Sequence, residues 1–272
     1  MSERRARRAR RSGRAPSQHF LRRAVAGELV RDARLTQDDL VVDLGAGTGR
    51  LTTELARAAR RVVAVELDPG LAARLQGRWV NVEVVEADAR DVHLPRQPFR
   101  VVANLPFAGT NEILRHLLDD PRVPLVRADL VVQWGVAVKR ALPWPSTVNG
   151  VVWGAWYSTR VARRLPRSAF DPPPSVDAAV LVFERRPTPL VPIELASAYR
   201  RFVARGFRVG RRLVRAEPRQ LDPYEWAARY LAAREHIFGT KASHTRDGCP
   251  ATVIGRWRRR RHPGVRQSSS RS

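Results

Sequence analysis

The most specific chemical feature of the sequence is the run Asn104-Leu105-Pro106-Phe107, which follows a β-branched stretch. An exocyclic adenine amine is a weak nucleophile because its lone pair is delocalised into the ring. The carbonyls of the Asn104 side chain and the Leu105 backbone can accept both amine hydrogens and stabilise the charge that develops during attack on a methyl group. Pro106 stiffens the turn, and Phe107 offers a face on which an extruded base can stack. The run predicts a site for transfer to a base amine, and an ordinary strand and turn with a core Phe is the alternative.

A glycine-rich loop, Asp43 to Gly49, follows the first predicted strand and precedes the first helix of the sheet. Glycines let the backbone approach a ligand closely at the carboxyl end of a strand. Arg50 stands where a dinucleotide-binding fingerprint requires its last glycine, so the loop does not complete that motif. The loop alone therefore leaves a simple tight turn open as the alternative.

Two carboxylates follow the next two predicted strands at the same edge of the sheet. Glu66 ends the second strand, and Asp88 ends the third. A carboxylate in the first position can accept two hydrogen bonds from a ribose diol, and one in the second can accept from an adenine amine. Together with the glycine loop, these residues predict a pocket for an adenosine that lacks phosphates.

Alternating strands and helices position these loops. The predicted strands span 40–44, 61–67, 82–87 and 99–104, the predicted helices span 51–60, 70–78 and 110–120, and a strand followed by a helix lies within 130–142. Runs at 151–161 and 176–184 are expected to form a closing antiparallel pair. This alternation predicts an α/β doubly wound sheet with helices on both faces.

The remainder of the chain divides by composition. Prolines separate the sheet from two helical runs, 193–206 and 223–238, whose outer faces carry Arg, so we expect a small C-terminal all-helical domain. The Arg-rich ends contain too little apolar surface to offset the entropy of ordering. We therefore predict four parts: a disordered Arg-rich arm (1–15), a catalytic domain (16–187), a helical RNA-binding domain (188–240) and a basic disordered tail (241–272).

The charge balance indicates the class of partner. The 272 residues contain 50 Lys and Arg against 26 Asp and Glu, which gives a net charge of +24. Such a positive field attracts a polyanion, either nucleic acid or an anionic membrane surface. The single cysteine, Cys249, excludes an internal disulfide and a cysteine-ligated zinc site, so no metal is expected. No apolar run approaches the length of about 18 residues that a membrane span needs, and we expect a soluble, intracellular protein.

The order of these motifs resembles the rRNA adenine N6-methyltransferases, which use S-adenosylmethionine. The resemblance covers residues 16 to 186 most firmly, and the segments that carry it are Gln18 to Leu21, Asp43 to Gly49, Glu66, Asp88, Asn104 to Phe107 and Phe170 to Val176. Within the family, segments Gln133 to Arg140 and Arg163 to Phe170 are most similar to the Erm-type enzymes. That branch methylates one adenine of 23S rRNA and confers resistance to macrolides, lincosamides and streptogramin B.

The resemblance implies a Rossmann-like SAM-dependent methyltransferase sheet and a role for each matching residue. Asn104, Leu105 and Phe107 would form the catalytic set, His19 and Leu21 would line the methionine side of the cofactor, Gly45 and Gly47 would lie beneath it, Glu66 would hold the ribose, Asp88 the adenine, and Asn104 would contact both cofactor and target amine. The chain departs from the family at two of these positions. Relatives most often have Asn where this chain has His19, and many have Tyr where it has Phe107.

Other functions fit part of this pattern. The small-subunit (16S) rRNA dimethyladenosine transferases share every motif from the glycine loop to the Pro-rich loop, and a non-catalytic RNA-binding assembly factor of the same fold is the other alternative. A NAD-dependent oxidoreductase is disfavoured by Arg50. The expected partner is 23S rRNA in its naked or precursor form, bound in the cytoplasm by a monomer without metal or membrane contact.

Overall fold

The computed structural model describes residues 19–142 and 147–239. Its centre is a seven-stranded sheet in the order β4-β3-β2-β5-β6-β9-β7, and a second sheet pairs β1 with β8. The strands are β1 (Phe20–Leu21), β2 (Leu40–Leu44), β3 (Arg61–Glu66), β4 (Val82–Glu86), β5 (Phe99–Asn104), β6 (Leu125–Gln133), β7 (Tyr157–Leu165), β8 (Phe170–Asp171) and β9 (Ala178–Arg185). Strands β2 to β6 run parallel, and β9 pairs antiparallel with both β6 and β7.

The helices of the described residues fall between these strands and after the last one. They are α1 (Arg23–Ala33), α2 (Arg50–Ala58), α3 (Pro69–Leu75), α4 (Thr110–Leu118), α5 (Trp134–Ala141), α6 (Val148–Gly154), α7 (Ala196–Val209), α8 (Arg211–Val214) and α9 (Pro223–Gly239). Three short 3₁₀ turns, at Arg167–Ala169, Ile193–Leu195 and Pro218–Gln220, connect neighbouring elements. No helix in the described ranges is both long and apolar enough to cross a bilayer.

The side chains of the central strands alternate between two apolar layers, as expected for strands covered on both faces. On β2, Val41 packs with α1 and α2, whereas Val42 packs with α4 on the opposite face. On β5, Val101 and Val102 divide in the same way. The predicted α/β sheet with helices on both faces is therefore confirmed.

Strand order reverses at β2, which pairs with β3 on one side and β5 on the other. In an open α/β sheet, this reversal opens a crevice outside the carboxyl ends of the two diverging strands. The glycine loop leaves the carboxyl end of β2, and Asn104 ends β5. The topology thus brings the two most informative sequence motifs to the same crevice.

The helices after β9 extend the core on the α4 side of the sheet. Tyr199, Val203 and Trp226 are fully buried in the same hydrophobic cluster as Val42. Gly206 allows α7 and α9 to approach, since a Cβ there would lie 2.5 Å from the Trp226 ring. The division into a catalytic and a helical domain stays a prediction.

The chain divides into two units between residues 233 and 234. Of the second unit, only helical residues 234–239 are described. The predicted arm (1–15) and tail (241–272) lie outside the described residues.

The run at 151–161 was predicted as one strand, and this expectation is wrong in its first part. Residues 148–154 form α6, and the strand begins only at Tyr157. The Thr147 side chain caps the helix by accepting from the Gly150 N–H at 3.2 Å, and the apolar face of α6 packs into the core. A short apolar run does not by itself distinguish a buried helix from a strand. Helix α1 and the β1–β8 pair were not predicted.

Candidate active site

The glycine loop follows a backbone path that residues with a side chain disfavour. Gly45, Gly47 and Gly49 all have positive φ, at 79°, 58° and 79°. The Gly45 N–H donates to the Val65 carbonyl at 2.8 Å, which fastens the loop to β3. A Cβ on Gly47 would lie 2.7 Å from the ring of Phe20. The loop therefore requires glycine at position 47 for both its backbone angle and its contact.

Glu66 holds the loop from the neighbouring strand. Glu66 is only 6% exposed, and its Oε2 accepts the Gly47 N–H at 2.7 Å. Oε1 accepts the Asp68 N–H at 2.9 Å. Each carboxylate oxygen has two acceptor sites, so both oxygens retain one for a hydroxyl donor. Glu66 can position the loop and bind a diol at the same time.

Asp43 is a buried acid that the sequence analysis placed in the loop motif without assigning it a role. It is 1% exposed, and its Oδ2 accepts the Thr52 hydroxyl at 2.7 Å. Burial raises its pKa to about 7, the Thr52 hydrogen bond opposes this increase, and the nearby charge of Glu66 adds to it. Asp43 is therefore divided between its neutral and charged forms near neutral pH.

Asn104 has one satisfied and one unsatisfied side-chain atom. Its Nδ2 donates to the backbone carbonyl of His19 at 2.8 Å. A carbonyl oxygen accepts only, so this contact fixes which end of the amide is the donor. The other end, Oδ1, is buried and has no hydrogen-bond partner among the described residues. Asn104 thus holds a buried, unpaired acceptor in a fixed orientation.

The residues after Asn104 form a turn with an aromatic ring beside it. Leu105 is buried, and its N–H donates to Val131 of the neighbouring strand at 3.1 Å. The Thr110 hydroxyl donates to the Pro106 carbonyl at 2.8 Å and closes the turn onto the start of α4. Phe107 is only half-buried, which leaves part of its ring available for a stacking partner.

A two-stranded ribbon brings the N-terminal segment to this edge. Phe20 pairs with Asp171, and Leu21 pairs with Phe170. The Arg50 guanidinium ties the ribbon to α2, donating to the Leu21 carbonyl at 3.2 Å and lying 3.5 Å from the Asp171 carboxylate. The residue that breaks the dinucleotide fingerprint therefore anchors the segment that covers the loop.

His19 joins the ribbon to the aromatic side of the site. Its Nδ1 lies 3.0 Å from the Pro172 carbonyl oxygen, so that nitrogen carries the proton. Its ring centroid is 5.8 Å from that of Phe107, and Phe107 meets Phe170 edge-on at 6.5 Å. His19, Phe107 and Phe170 thus form one continuous aromatic wall.

Asp88 lies two residues beyond β4, near the same edge, but its carboxylate is already engaged. The side chain of Arg90 donates through Nε to Oδ1 at 2.9 Å and through Nη2 to Oδ2. The hydrogen bond from Arg90 holds the pKa of Asp88 below its usual value. Oδ1 also accepts the Arg90 backbone N–H at 2.9 Å, and Oδ2 shares the Nε–H at 2.9 Å. Arg90, a neighbour that the sequence analysis missed, therefore engages both oxygens, and an adenine amine would replace one of its hydrogen bonds.

The structure brings most of the predicted site residues together at one edge. This set comprises His19, Leu21, Gly45, Gly47, Glu66, Asn104, Leu105 and Phe107. Between the ribbon and the loop, a cavity of about 20 Å³ is lined by residues that include Phe20, Asp43, Arg50 and Asn104. Its volume suits about one water molecule. The sequence analysis named the segments that contain Asp43, Arg50 and Phe20 but gave these residues no role in the site. Asp43 and Arg50 flank the glycines, and Phe20 stands between His19 and Leu21, so adjacency was the available signal.

Comparison with known proteins finds a matching family model and similar proteins. The family model described as ribosomal RNA adenine dimethylase matches residues 13–226. A relative named rRNA adenine N-6-methyltransferase, from Corynebacterium diphtheriae, is 38% identical over 177 residues, which are 62% of this chain and 69% of that protein.

Two further relatives differ in what their names describe. Mycinamicin-resistance protein MyrB of Micromonospora griseorubida is 36% identical over 188 residues, 68% of this chain and 60% of its own length. Ribosomal RNA small subunit methyltransferase A of Kineococcus radiotolerans is 43% identical over 174 residues, 59% of this chain and 57% of its own length. The chain therefore spans less than two thirds of the length of both.

One solved structure covers the fold more fully. The crystal structure of 23S rRNA methyltransferase ErmE is 27% identical, with a TM-score of 0.67 over 78% of this chain and 98% of that one. The similarity includes both the sheet and helices that follow it.

Proposed function

Because the chain belongs to the ribosomal RNA adenine dimethylase family, we propose that it transfers methyl groups from S-adenosylmethionine to the exocyclic N6 of an adenine in 23S rRNA. Methylation there would confer resistance to macrolides, lincosamides and streptogramin B. The names of two similar proteins, a 23S rRNA methyltransferase and a mycinamicin-resistance protein, support this choice of substrate and role. We further propose that the protein acts as a monomer in the cytoplasm on naked or precursor rRNA.

The observation that carries the proposal is the unpartnered Oδ1 of Asn104. A buried acceptor without a donor costs about 1–3 kcal/mol, so its retention needs a reason. An adenine amine offers N–H donors and carries no full positive charge, which matches a neutral amide oxygen. Since Nδ2 is committed to His19, the amide does not turn its donor end toward the base.

Asn104 and Phe107 contact the target base in different ways, one as a hydrogen-bond acceptor and the other as a stacking surface. An acceptor on the amine hydrogens stabilises the positive charge that grows on N6 as it attacks, and the effect is large where water is excluded. Phe107 presents a half-buried ring on which the extruded base stacks. This contact replaces the stacking on neighbouring bases that the target base loses when it leaves the RNA. A general base is not needed before transfer, because the amine becomes acidic only after the new bond has formed.

The residues at this edge fit the cofactor that the family uses. Bound S-adenosylmethionine supplies an electrophilic methyl group. Gly47 brings the loop so close to Phe20 that no Cβ would fit there, and Glu66 retains acceptor sites for the ribose diol. The adenine amine would replace one of the Arg90 hydrogen bonds to Asp88. His19 and Leu21 line the methionine side. The cavity of about 20 Å³ beside Phe20 is too small for the methionine part of the cofactor, so the residues that line it would have to move when the cofactor binds.

A second candidate is methylation of 16S rRNA. It is favoured by the 43% identity to a small subunit methyltransferase A, which exceeds the 38% identity to the Corynebacterium enzyme. The two functions use the same chemistry and differ in the RNA that reaches Asn104.

Primer extension on 16S and 23S rRNA separates the two candidates. RNA is taken from cells that express the chain and from cells that express the Asn104→Ala variant as a matched control. Dimethylated adenine blocks reverse transcriptase, so we expect a new stop in 23S rRNA for the active chain alone. A stop confined to 16S rRNA favours the second candidate, and no new stop in either RNA contradicts both.

A further inference from the structure

A stacked pair of side chains lies outside the set already described. The Arg164 guanidinium carbon lies 4.9 Å from the centre of the Trp134 ring, within the range of a cation–π interaction. Asp177 holds the guanidinium from the side, accepting from Nε at 3.0 Å and Nη2 at 2.6 Å. The backbone N–H of Trp134 donates to the backbone carbonyl of Asp177 at 2.9 Å. Three segments of the chain therefore fix one flat surface.

The outer side of this surface is open. The Arg164 side chain is 61% exposed although it is paired and stacked. Its Nη1 has no hydrogen-bond partner within the part of the chain that the structure describes. Because the guanidinium lies over the indole and is largely exposed, Nη1 and the side turned away from the ring are accessible to a ligand as far as the described residues are concerned.

A β-bulge directs Arg164 toward Trp134. On β7, Val161 pairs with Leu181 and Arg163 pairs with Val180, so Ala162 is an extra residue. Before the bulge Val161 packs on the α4 side, whereas after it Leu165 packs on the opposite side. The inserted residue thus places Arg164 on the face that carries Trp134. Bulges commonly redirect a side chain beside a functional site.

The pair lies on the same sheet edge as Asn104. Asn104 pairs with Val131 in the parallel β5–β6 ladder. Trp134 follows three residues later along the same direction, a distance of about 10 Å at the rise of a strand. Trp134 therefore lies outside the set of residues that would accept the target base. It is close enough to contact the nucleotides next to a base bound at Asn104.

We propose that the Arg164–Trp134 pair is a stacking platform for an unpaired nucleotide that flanks the target base. The inference rests on the proposed function, since it takes RNA as the substrate. Every base has a face that stacks on a planar guanidinium, and single-stranded RNA is bound mainly by such stacking together with contacts to phosphates. Nη1 is available to donate to a phosphate or base oxygen. Exposed Arg78 also lies over an indole, 4.6 Å from the centre of the Trp79 ring, but among the described residues no carboxylate holds its guanidinium as Asp177 holds that of Arg164.

The test uses the full chain and a hairpin RNA with one unpaired adenine, in which 2-aminopurine replaces each flanking nucleotide in turn. Arg164→Ala removes the platform, and Arg164→Lys keeps a positive charge beside Asp177 but loses the planar surface. Arg160→Ala is the matched control, since Arg160 is exposed on the same strand before the bulge and on the opposite face. Calorimetry with S-adenosylmethionine monitors the cofactor site.

We expect Arg164→Ala and Arg164→Lys to bind the hairpin about tenfold more weakly than the wild type, within the range measured for loss of base stacking. The fluorescence of one flanking 2-aminopurine should be quenched by the wild type and by Arg160→Ala, and not by either Arg164 variant. Cofactor affinity should not change.

Three results overturn the platform: equal weakening by Arg160→Ala, full recovery with Arg164→Lys, or quenching that persists in Arg164→Ala. Failure of the proposed function has a different signature. In that case the wild type transfers no methyl group to rRNA, whether or not hairpin binding depends on Arg164.

Discussion

Asn104 and His19 are joined by a hydrogen bond of 2.8 Å across 85 residues of chain, from the side-chain Nδ2 of one to the backbone carbonyl of the other. This bond orients the amide so that Oδ1 faces away from the protein's own donors. It also makes the acceptor depend on the β1–β8 ribbon, which sets the position of His19. The base-binding geometry and the cover of the glycine loop are therefore parts of one arrangement.

Substitution of Glu66 by Gln should weaken binding of S-adenosylmethionine by at least tenfold. The amide places a donor where the carboxylate accepts either from Gly47 or from Asp68, so the loop and the diol lose an acceptor together. Isothermal calorimetry measures the affinity, and thermal unfolding serves as the control for folding. Unchanged affinity would mean that the loop serves another ligand.

Substitution of Asp43 by Asn should flatten the dependence of stability on pH. The folded pKa of about 7 exceeds the unfolded value of 3.8, so between these values the folded state binds the extra proton. The contribution is fully present below about pH 4 and is lost as the pH rises through 7. At about 1.4 kcal/mol per pKa unit the difference amounts to a few kcal/mol. Urea unfolding of both proteins from pH 4.5 to 8 measures it, and parallel curves would contradict the assignment.

Gly47→Ala should destabilise the fold more than Gly77→Ala does. Both glycines have positive φ, at 58° and 68°, which costs a side chain about 1–2 kcal/mol. Only Gly47 faces a ring that a Cβ would strike, whereas a Cβ on Gly77 meets nothing within 4 Å. The difference in unfolding free energy between the variants isolates the contact with Phe20. If the two losses are equal, Phe20 does not restrict the loop.

Deleting residues 1–15 should lower the salt dependence of RNA binding without changing cofactor affinity. The segment contains seven arginines. If four phosphate contacts are lost, the slope of log affinity against log salt falls by about three units. Truncation after residue 255 should be tested alone and in combination, because the second basic end compensates in part. An unchanged slope in the double truncation would assign RNA binding to the described part of the chain.

The sheet was predictable because each strand from 40 to 104 carries a strong apolar run bounded by turn residues. Leu40–Leu44 and Phe99–Asn104 were predicted with their observed limits. The residues at the strand ends were predictable for the same reason, since parallel strands present their carboxyl ends at one edge.

The ribbon and α6 were not predictable by this reasoning. The β1–β8 pair consists of two residues on each side, held by contacts between segments 150 residues apart, and it has no local periodicity. The partners that adjust the site, such as Thr52 for Asp43 and Arg90 for Asp88, depend on side-chain packing that spacing alone does not specify.

The most direct test of the account is single-turnover methyl transfer by Asn104→Ala, with labelled S-adenosylmethionine and 23S rRNA. Loss of one acceptor for the developing charge should lower the rate by on the order of 10²-fold or more, equivalent to about 3 kcal/mol, while thermal unfolding stays close to that of the wild type. Asn104→Asp keeps an acceptor oxygen but loses the donor to the His19 carbonyl. It therefore separates the effect of the acceptor from the effect of the hydrogen bond that orients it. Transfer by Asn104→Ala at the wild-type rate would contradict the central claim that the buried Oδ1 binds the reacting amine.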